Sequence, residues 1–196
     1  STCYAIHADP RDPKKAWVSH YNGIARTTNA GSTWKAQQTP QITDATSIAA
    51  DASNPKILYV GCKFGSDETR SVLKSTDGGV TWKVTGDGVY GESHRILAAG
   101  SKIHLASAVG IFLSKNGGST WNPGHNGIRA SNIRAFAASP SSPNTIYAGI
   151  GGYALLKTTN GGSAWMTCGT FYGSLLVASV AVHPTNSNII YVKPSG

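Results

Sequence analysis

The sequence predicts an all-β protein built from repeated four-stranded antiparallel units, and three observations support that prediction. A glycine-rich phrase occurs four times, as "TTNAGSTWK" from Thr27, "STDGGVTWK" from Ser75, "SKNGGSTWN" from Ser114 and "TTNGGSAWM" from Thr158. Intervals of 48, 39 and 44 residues separate its tryptophans, which are Trp34, Trp82, Trp121 and Trp165. A second phrase precedes each copy, and intervals of this length suit a unit of four short strands.

The second phrase supplies the first two strands of each unit. It reads as a short apolar strand, a turn of Pro, Asn, Asp or Ser, and a strand rich in β-branched and aromatic residues. The full phrase begins at Ala5, Ser47, Ala135 and Ser179, and a shortened form, "ILAAGSKIHLAS", begins at Ile96. For the second unit we predict strands A to D at Thr46–Ala50, Ile57–Gly61, Ser71–Ser75 and Thr81–Thr85.

The glycine-rich phrase is predicted to form the hairpin between strands C and D. Glycines at its tip permit positive φ, and the Asp or Asn side chain and the Ser or Thr hydroxyls can bond the turn amides. The tryptophan beside the turn is large and apolar, so we expect it to pack between neighbouring sheets. The residues with this predicted structural role are Asn29, Gly31, Trp34, Asp77, Gly79, Trp82, Asn116, Gly118, Trp121, Asn160, Gly162 and Trp165.

The turn resembles the Asp-box, because Ser75, Asp77, Gly79, Thr81 and Trp82 match Ser-x-Asp-x-Gly-x-Thr-Trp. Over essentially its whole length the chain is similar to the Asp-box (BNR repeat) β-propellers, which include sialidases, xyloglucan-specific endoglucanases, sortilin-type receptors and photosystem II assembly factors. The other three boxes carry Asn, which keeps the acceptor oxygen. A box that recurs in every unit indicates a structural role, and the resemblance leaves the function open.

The resemblance implies one propeller domain over residues 1–196, in which each unit is a blade. Its blades are predicted at about 2–45, 46–92, 93–131 and 132–173, with half of a fifth at 174–196. The last unit supplies strands A and B only, and exposed strand edges invite pairing with other chains. We therefore expect the chain to be a segment of a longer protein, or to complete its ring with another polypeptide.

Charge is distributed unevenly along the chain, whose formal net charge is +8. All nine acidic residues lie between Asp9 and Glu92, whereas residues 93–196 contain seven Lys or Arg and no acidic residue. A basic half can attract nucleic acid, anionic polysaccharide or an acidic partner. Nucleic acid is disfavoured because these cations are dispersed and no recognised binding motif accompanies them. No apolar run approaches the roughly 20 residues of a membrane-spanning helix.

Metal and cofactor sites are not predicted, because the six histidines never occur at metal-ligand spacing. The three cysteines allow at most one disulfide. Cys3 opens the first A strand and Cys168 is expected after the fourth D strand, so they can pair only if those units are neighbours or nearly so. Cys62 is then expected to be a free thiol.

Candidate binding residues lie in the connections from B to C and from D to A. In a four-stranded meander these connections lie on the rim opposite the boxes, where the resemblance to sialidases implies that ligands bind. Aromatic rings that stack on sugars beside carboxylates that bond hydroxyls suit a polysaccharide groove. The first candidates are Tyr21, Phe64, Asp67, Glu68, Tyr90, Glu92 and Tyr153.

Two functions remain open on the sequence. The first is an extracellular or periplasmic carbohydrate-associated propeller, either a glycan-binding module or part of a polysaccharide-degrading enzyme. Glycoside hydrolysis needs two carboxyl groups, which Asp67, Glu68, Asp87 and Glu92 can supply. No sialidase set of arginines, Tyr, Glu and Asp is present, and the xyloglucanase N-terminal signature is not found, so catalysis stays undecided. The second function is a non-enzymatic scaffold that binds another protein.

Overall fold

The computed structural model describes residues 2–40, 44–51, 53–63, 71–124, 132–151, 154–170 and 176–194. Unit one consists of β1 (Cys3–Ala8), β2 (Ala16–His20), β3 (Gly23–Thr27) and β4 (Lys35–Ala36). Unit two consists of β5 (Asp44–Ala50), β6 (Leu58–Lys63), β7 (Val72–Ser75) and β8 (Lys83–Thr85). Unit three consists of β9 (Ser93–Ala99), β10 (Lys102–Ser107), β11 (Gly110–Ser114) and β12 (Asn122–Pro123).

Unit four consists of β13 (Ile133–Ser139), β14 (Ser142–Ile150), β15 (Ala154–Thr158) and β16 (Met166–Thr170), and unit five of β17 (Val177–Val182) and β18 (Ile190–Pro194). Units one to four are four-stranded antiparallel sheets with their strands in chain order, and unit five is a two-stranded sheet. The predicted all-β architecture of four full units and half of a fifth is confirmed. Within the described ranges, no helix is long and apolar enough to span a bilayer.

The second unit shows where the predicted strand ends differ from the observed ones. The predicted D strand begins at Thr81, whereas β8 begins at Lys83. Thr81 belongs to the turn instead, because its amide donates to Asp77 Oδ1 at 3.0 Å and its hydroxyl donates to Asp77 Oδ2 at 2.5 Å. The box turn therefore includes Thr81, and strand D begins two residues later than predicted.

The apolar core lies between consecutive sheets. The innermost strands β1, β5, β9, β13 and β17 contact one another in chain order. Four buried clusters fill the spaces between units, and the first joins Trp17 and Ile24 of unit one to Leu58, Leu73 and Trp82 of unit two. Each sheet therefore depends on its neighbours for burial of its two faces.

The box tryptophans differ in burial according to whether a preceding unit covers them. Trp82, Trp121 and Trp165 are 6%, 4% and 4% exposed and belong to the three clusters between units one and four. Trp34 in unit one is 41% exposed. The expected packing between sheets is therefore not seen at Trp34, because no described sheet lies before β1.

Aromatic residues of the second strands join each sheet to the box of the next. Trp17 Nε1 donates to the carbonyl of Gly78 at 3.1 Å, and Tyr59 Oη donates to that of Gly117 at 3.2 Å. At the corresponding place in unit three, His104 Nε2 lies 3.2 Å from the Gly161 oxygen. These contacts tie the box backbone to the neighbouring sheet.

The three cysteines are free in this structure, with Cys3 and Cys168 exposed and Cys62 buried. Cys168 lies inside β16 rather than after it. Burial raises the pKa of the Cys62 thiol, so this thiol is unreactive at neutral pH.

Candidate functional site

A β-bulge interrupts the first strand of every unit at the same place. In unit one, Cys3 pairs with His20 and Ala5 pairs with Ser19, which leaves Tyr4 as an extra residue. The same shift occurs in the other four units. The extra residues are Tyr4, Thr46, His94, Arg134 and Ala178. Bulges re-aim a side chain and are common beside binding sites.

These five bulged residues line one cavity of about 460 Å³, which we call the axial cavity. Its wall is completed by Lys63, Glu92, Ser93, Arg95 and Leu176. The cavity lies where the first strands begin, whereas the boxes follow the ends of the third strands. Because the first and third strands of an antiparallel meander run in the same direction, the axial cavity opens on the face opposite the boxes.

A second cavity of about 280 Å³ continues deeper between the innermost strands. The next two residues of each first strand line it, beginning with Ala5, Ser47, Arg95, Ala135 and Ser179. Arg95 borders both cavities. An apolar ring of Ile6, Ile48, Ile96, Phe136 and Val180 follows.

The acidic groups at or near the axial cavity are gathered around Lys63 of unit two. Lys63 Nζ lies 3.1 Å from Glu92 Oε2 and 4.0 Å from Asp44 Oδ2. Tyr4 Oη donates to Asp44 Oδ1 at 2.9 Å, and this hydrogen bond raises the pKa of Tyr4. One lysine therefore neutralises part of the charge of two carboxylates.

Three basic side chains of the axial cavity, His94, Arg95 and Arg134, belong to the first strands of units three and four. Arg134 is exposed and its Nε donates to Asn132 Oδ1 at 3.1 Å. His94 Nδ1 lies 3.0 Å from the carbonyl oxygen of Ile133, which fixes the ring against the next unit. Among the described residues, no carboxylate forms an ion pair with Arg95 or Arg134.

Two buried hydroxyl groups lie in the cavity walls without a hydrogen-bond partner in the described part of the chain. Ser93, which is 0% exposed, lines the axial cavity, and Ser47, at 2%, lines the deeper one. Both hydroxyls lie against Gly61, where an added Cβ would be 2.2 Å from Ser93 Oγ and 2.9 Å from Ser47 Oγ. A buried polar group without a partner is costly, and both oxygens face Gly61 in the tight packing around β6.

Three of the binding residues predicted from sequence lie in the described chain. Glu92 lines the axial cavity. Tyr21 and Tyr90 are 55% and 50% exposed on the same face, and neither lines that cavity. The ring of Tyr90 packs edge-on against Phe112, with centroids 4.9 Å apart. The other predicted residues, Phe64, Asp67, Glu68 and Tyr153, fall outside the described residues.

The sequence analysis missed the bulged residues and Arg95. A signal was nevertheless present, because the copies of the repeated phrase align on Ile6, Ile48, Ile96, Phe136 and Val180. Two positions before these apolar residues stand Tyr, Thr, His, Arg and Ala. When one position of a repeat carries a chemically different residue in every copy, that position does not serve the packing that the copies have in common.

Comparison with known proteins gives matches among solved structures. No protein-family model and no curated protein matches the chain. An ancestral GH74 enzyme matches with a TM-score of 0.78 and 19% identity, over 99% of this chain and 27% of that one. YCF48 bound to a D1 peptide matches with a TM-score of 0.73 and 18% identity, over 100% of this chain and 63% of that one. The GH74 xyloglucanase from Xanthomonas campestris matches with a TM-score of 0.72 and 16% identity, over 95% of this chain and 34% of that one.

The fold is a β-propeller. Every described unit corresponds to a blade, and the axial cavity lies where a propeller has its central channel. Sequence identities of 16–19% establish the fold alone, because one propeller architecture carries many functions. The chain spans 27–63% of the length of these three neighbours.

Proposed function

We propose that the protein is a carbohydrate-binding β-propeller whose ligand enters the axial cavity on the face opposite the Asp-boxes. The observation that carries this proposal is the bulge in all five first strands, which presents five different side chains to one cavity. The bulge recurs in every unit, as a structural feature does, but the side chain that it presents differs in each unit, as expected of positions that contact a ligand. The volume of about 460 Å³ lies within the range of about 300–1,000 Å³ for ligand pockets.

The chemistry of the cavity supports a sugar ligand. Glu92 offers acceptors for hydroxyl groups, and Arg95 and Arg134 offer donors. Tyr21 and Tyr90 are exposed on the same face and provide apolar rings on which a longer sugar chain can stack. A GH74 xyloglucanase is among the fold neighbours. Since most polysaccharide ligands lie outside the cytoplasm, the proposal includes an extracellular or periplasmic location.

Binding is favoured over hydrolysis at this cavity. Hydrolysis requires two carboxyl groups that flank the glycosidic bond. Glu92 lines the cavity, whereas Asp44 does not and already accepts a hydrogen bond from Tyr4. The described part of the cavity wall therefore offers one carboxyl group and not the pair that hydrolysis needs. Asp67 and Glu68 remain candidates for catalysis only in a site that lies beyond the described residues.

Glycan-array binding tests the proposed function. The wild-type chain should bind one or more glycan classes, and His94→Ala together with Arg134→Ala should reduce that binding because both side chains line the cavity. Lys115→Ala is a suitable control, since Lys115 is exposed in the box of unit three. Glycans that bind are then incubated with the protein and checked for cleavage. Array signals that the double variant leaves unchanged would contradict the proposed site.

A polypeptide ligand is the second candidate, and one observation favours it. Unit five exposes apolar side chains on β18 and just before it, with Tyr191 at 60% and Ile189 at 43% exposure. Exposed apolar patches are typical of protein–protein contacts. The YCF48 neighbour is bound to a D1 peptide. Failure of every glycan to bind, together with saturable binding of a peptide from a display library, would favour this function.

A further inference from the structure

We infer that the axial cavity selects acidic sugars, with a uronate carboxylate held between Arg95 and Arg134. This inference rests on the proposed carbohydrate-binding function and adds the charge of the ligand to it. It follows from three features of the cavity: two arginines without an ion pair, the positions of those arginines, and the carboxylates beside them.

The first feature is the state of the two arginines. Arg95 and Arg134 belong to the first strands of adjacent units and line the same cavity. No described carboxylate forms an ion pair with either. Two guanidinium groups that line one cavity repel each other. An anion placed between them would offset that repulsion and accept N–H bonds from both.

The second feature is the position of the two arginines. Arg134 is a bulged residue whose Nε donates to Asn132 Oδ1 at 3.1 Å. This hydrogen bond limits the freedom of the Arg134 side chain before a ligand binds, which favours affinity. Arg95 is half-buried where the axial cavity meets the deeper one.

The third feature, the carboxylates at the cavity, decides between acidic sugars and acidic peptides. Glu92 lines the cavity, Asp44 lies close to it, and Lys63 is the cation shared between them. These carboxylates would repel a ligand that carries acidic groups throughout, and they accept hydrogen bonds from hydroxyl groups. A uronate oligosaccharide has one carboxylate and several hydroxyls in each sugar, so it can bind both the arginines and the carboxylates.

Isothermal titration calorimetry with a defined pair of ligands tests the inference. The acidic probe is a galacturonate trisaccharide, and the neutral probe is the same trisaccharide with all three carboxylates methyl-esterified. The wild-type chain should bind the acidic probe at least about tenfold more tightly. Each of Arg95→Gln and Arg134→Gln should lower that affinity by about tenfold, since a charge-assisted bond contributes on the order of 1.5–3 kcal/mol and tenfold corresponds to about 1.4 kcal/mol.

Arg11→Gln is the matched control. It removes the same charge from an exposed arginine in the turn between β1 and β2, on the box face, and it should bind the acidic probe like the wild type. Thermal melting of all three variants at the wild-type temperature excludes loss of folding as the cause of weaker binding.

The outcomes distinguish the inference from the function on which it rests. Equal affinity for the acidic and esterified probes would overturn the inference and leave carbohydrate binding intact. The same holds if the acidic probe binds but neither cavity arginine matters. Binding of a Glu-rich peptide with no binding of either sugar, or of any glycan on the array, would overturn both.

Discussion

His104 makes the stability of the fold depend on pH. It is fully buried at the position that Trp17, Tyr59 and Tyr147 occupy in other units. Burial lowers the pKa of His104 to about 4, against the opposing hydrogen bond to Gly161. Since a histidine of the unfolded chain has a pKa of about 6.5, only the unfolded chain gains this proton between about pH 6.5 and 4. The stability that neutral His104 contributes is therefore fully present above about pH 6.5 and decreases as the pH falls from there toward 4.

We expect His104 to reduce the free energy of unfolding by about 2 kcal/mol between pH 7.5 and pH 5. His104→Tyr should abolish that part of the pH dependence, because tyrosine stays neutral and can donate to Gly161 as Tyr59 donates to Gly117. Urea unfolding of both proteins at the two pH values measures the difference. If His104→Tyr loses as much stability between pH 7.5 and pH 5 as the wild type, the pH dependence comes from other groups.

Asp77 is the one box acceptor that carries a charge. Burial raises the pKa of its carboxyl group, but hydrogen bonds from Thr81, Ser75 and Val80 outweigh burial and hold the pKa below its usual range. Its contribution to stability is therefore present above pH 3.9 or so and is lost as the pH falls below that value. Asp77→Asn should melt near the wild-type temperature at pH 7 and show a smaller decrease at pH 3. Collapse of the variant at pH 7 would show that the charge itself is required.

At the scale of the elements, the box tryptophans provide a matched pair of substitutions. Trp82→Ala removes a buried ring from the cluster between units one and two and should cost about 3–5 kcal/mol. Trp34→Ala makes the same chemical change at a side chain that is 41% exposed, so the cost should be much smaller. Chemical denaturation compares the two variants. Equal costs would contradict the assignment of Trp82 as an anchor between sheets.

The box hairpins could be predicted from sequence because their hydrogen bonds are local. Ser75, Asp77, Gly79 and Thr81 bond one another within seven residues, so a short phrase contains the whole turn. The bulges could not be predicted, because Tyr4 becomes an extra residue only through the register between β1 and β2. Sequence reasoning therefore placed the binding candidates in the connecting loops, and only Glu92 of the described candidates lines the axial cavity.

At the scale of the whole molecule, units one and five each present a face that inner units keep covered. Trp34 is 41% exposed and Tyr191 is 60% exposed, whereas Trp82 and Tyr59 at the corresponding positions are 6% and 1% exposed. The expectation that further polypeptide completes the ring stays a prediction. We expect these two faces to be covered in the natural protein. A native mass of the source material equal to the 20.4 kDa of this chain, as a monomer, would contradict it.

At the bulges, the residues that face a ligand are different from the residues that stabilise the fold. None of the five bulged side chains is fully buried, although the residue before it is buried in units two to five. Exchange of Tyr4, Thr46, His94, Arg134 and Ala178 should therefore alter ligand choice with little change in melting temperature. The five first strands form a fixed frame with five replaceable positions, from which propellers of new selectivity can be engineered or can evolve without passing through unstable intermediates.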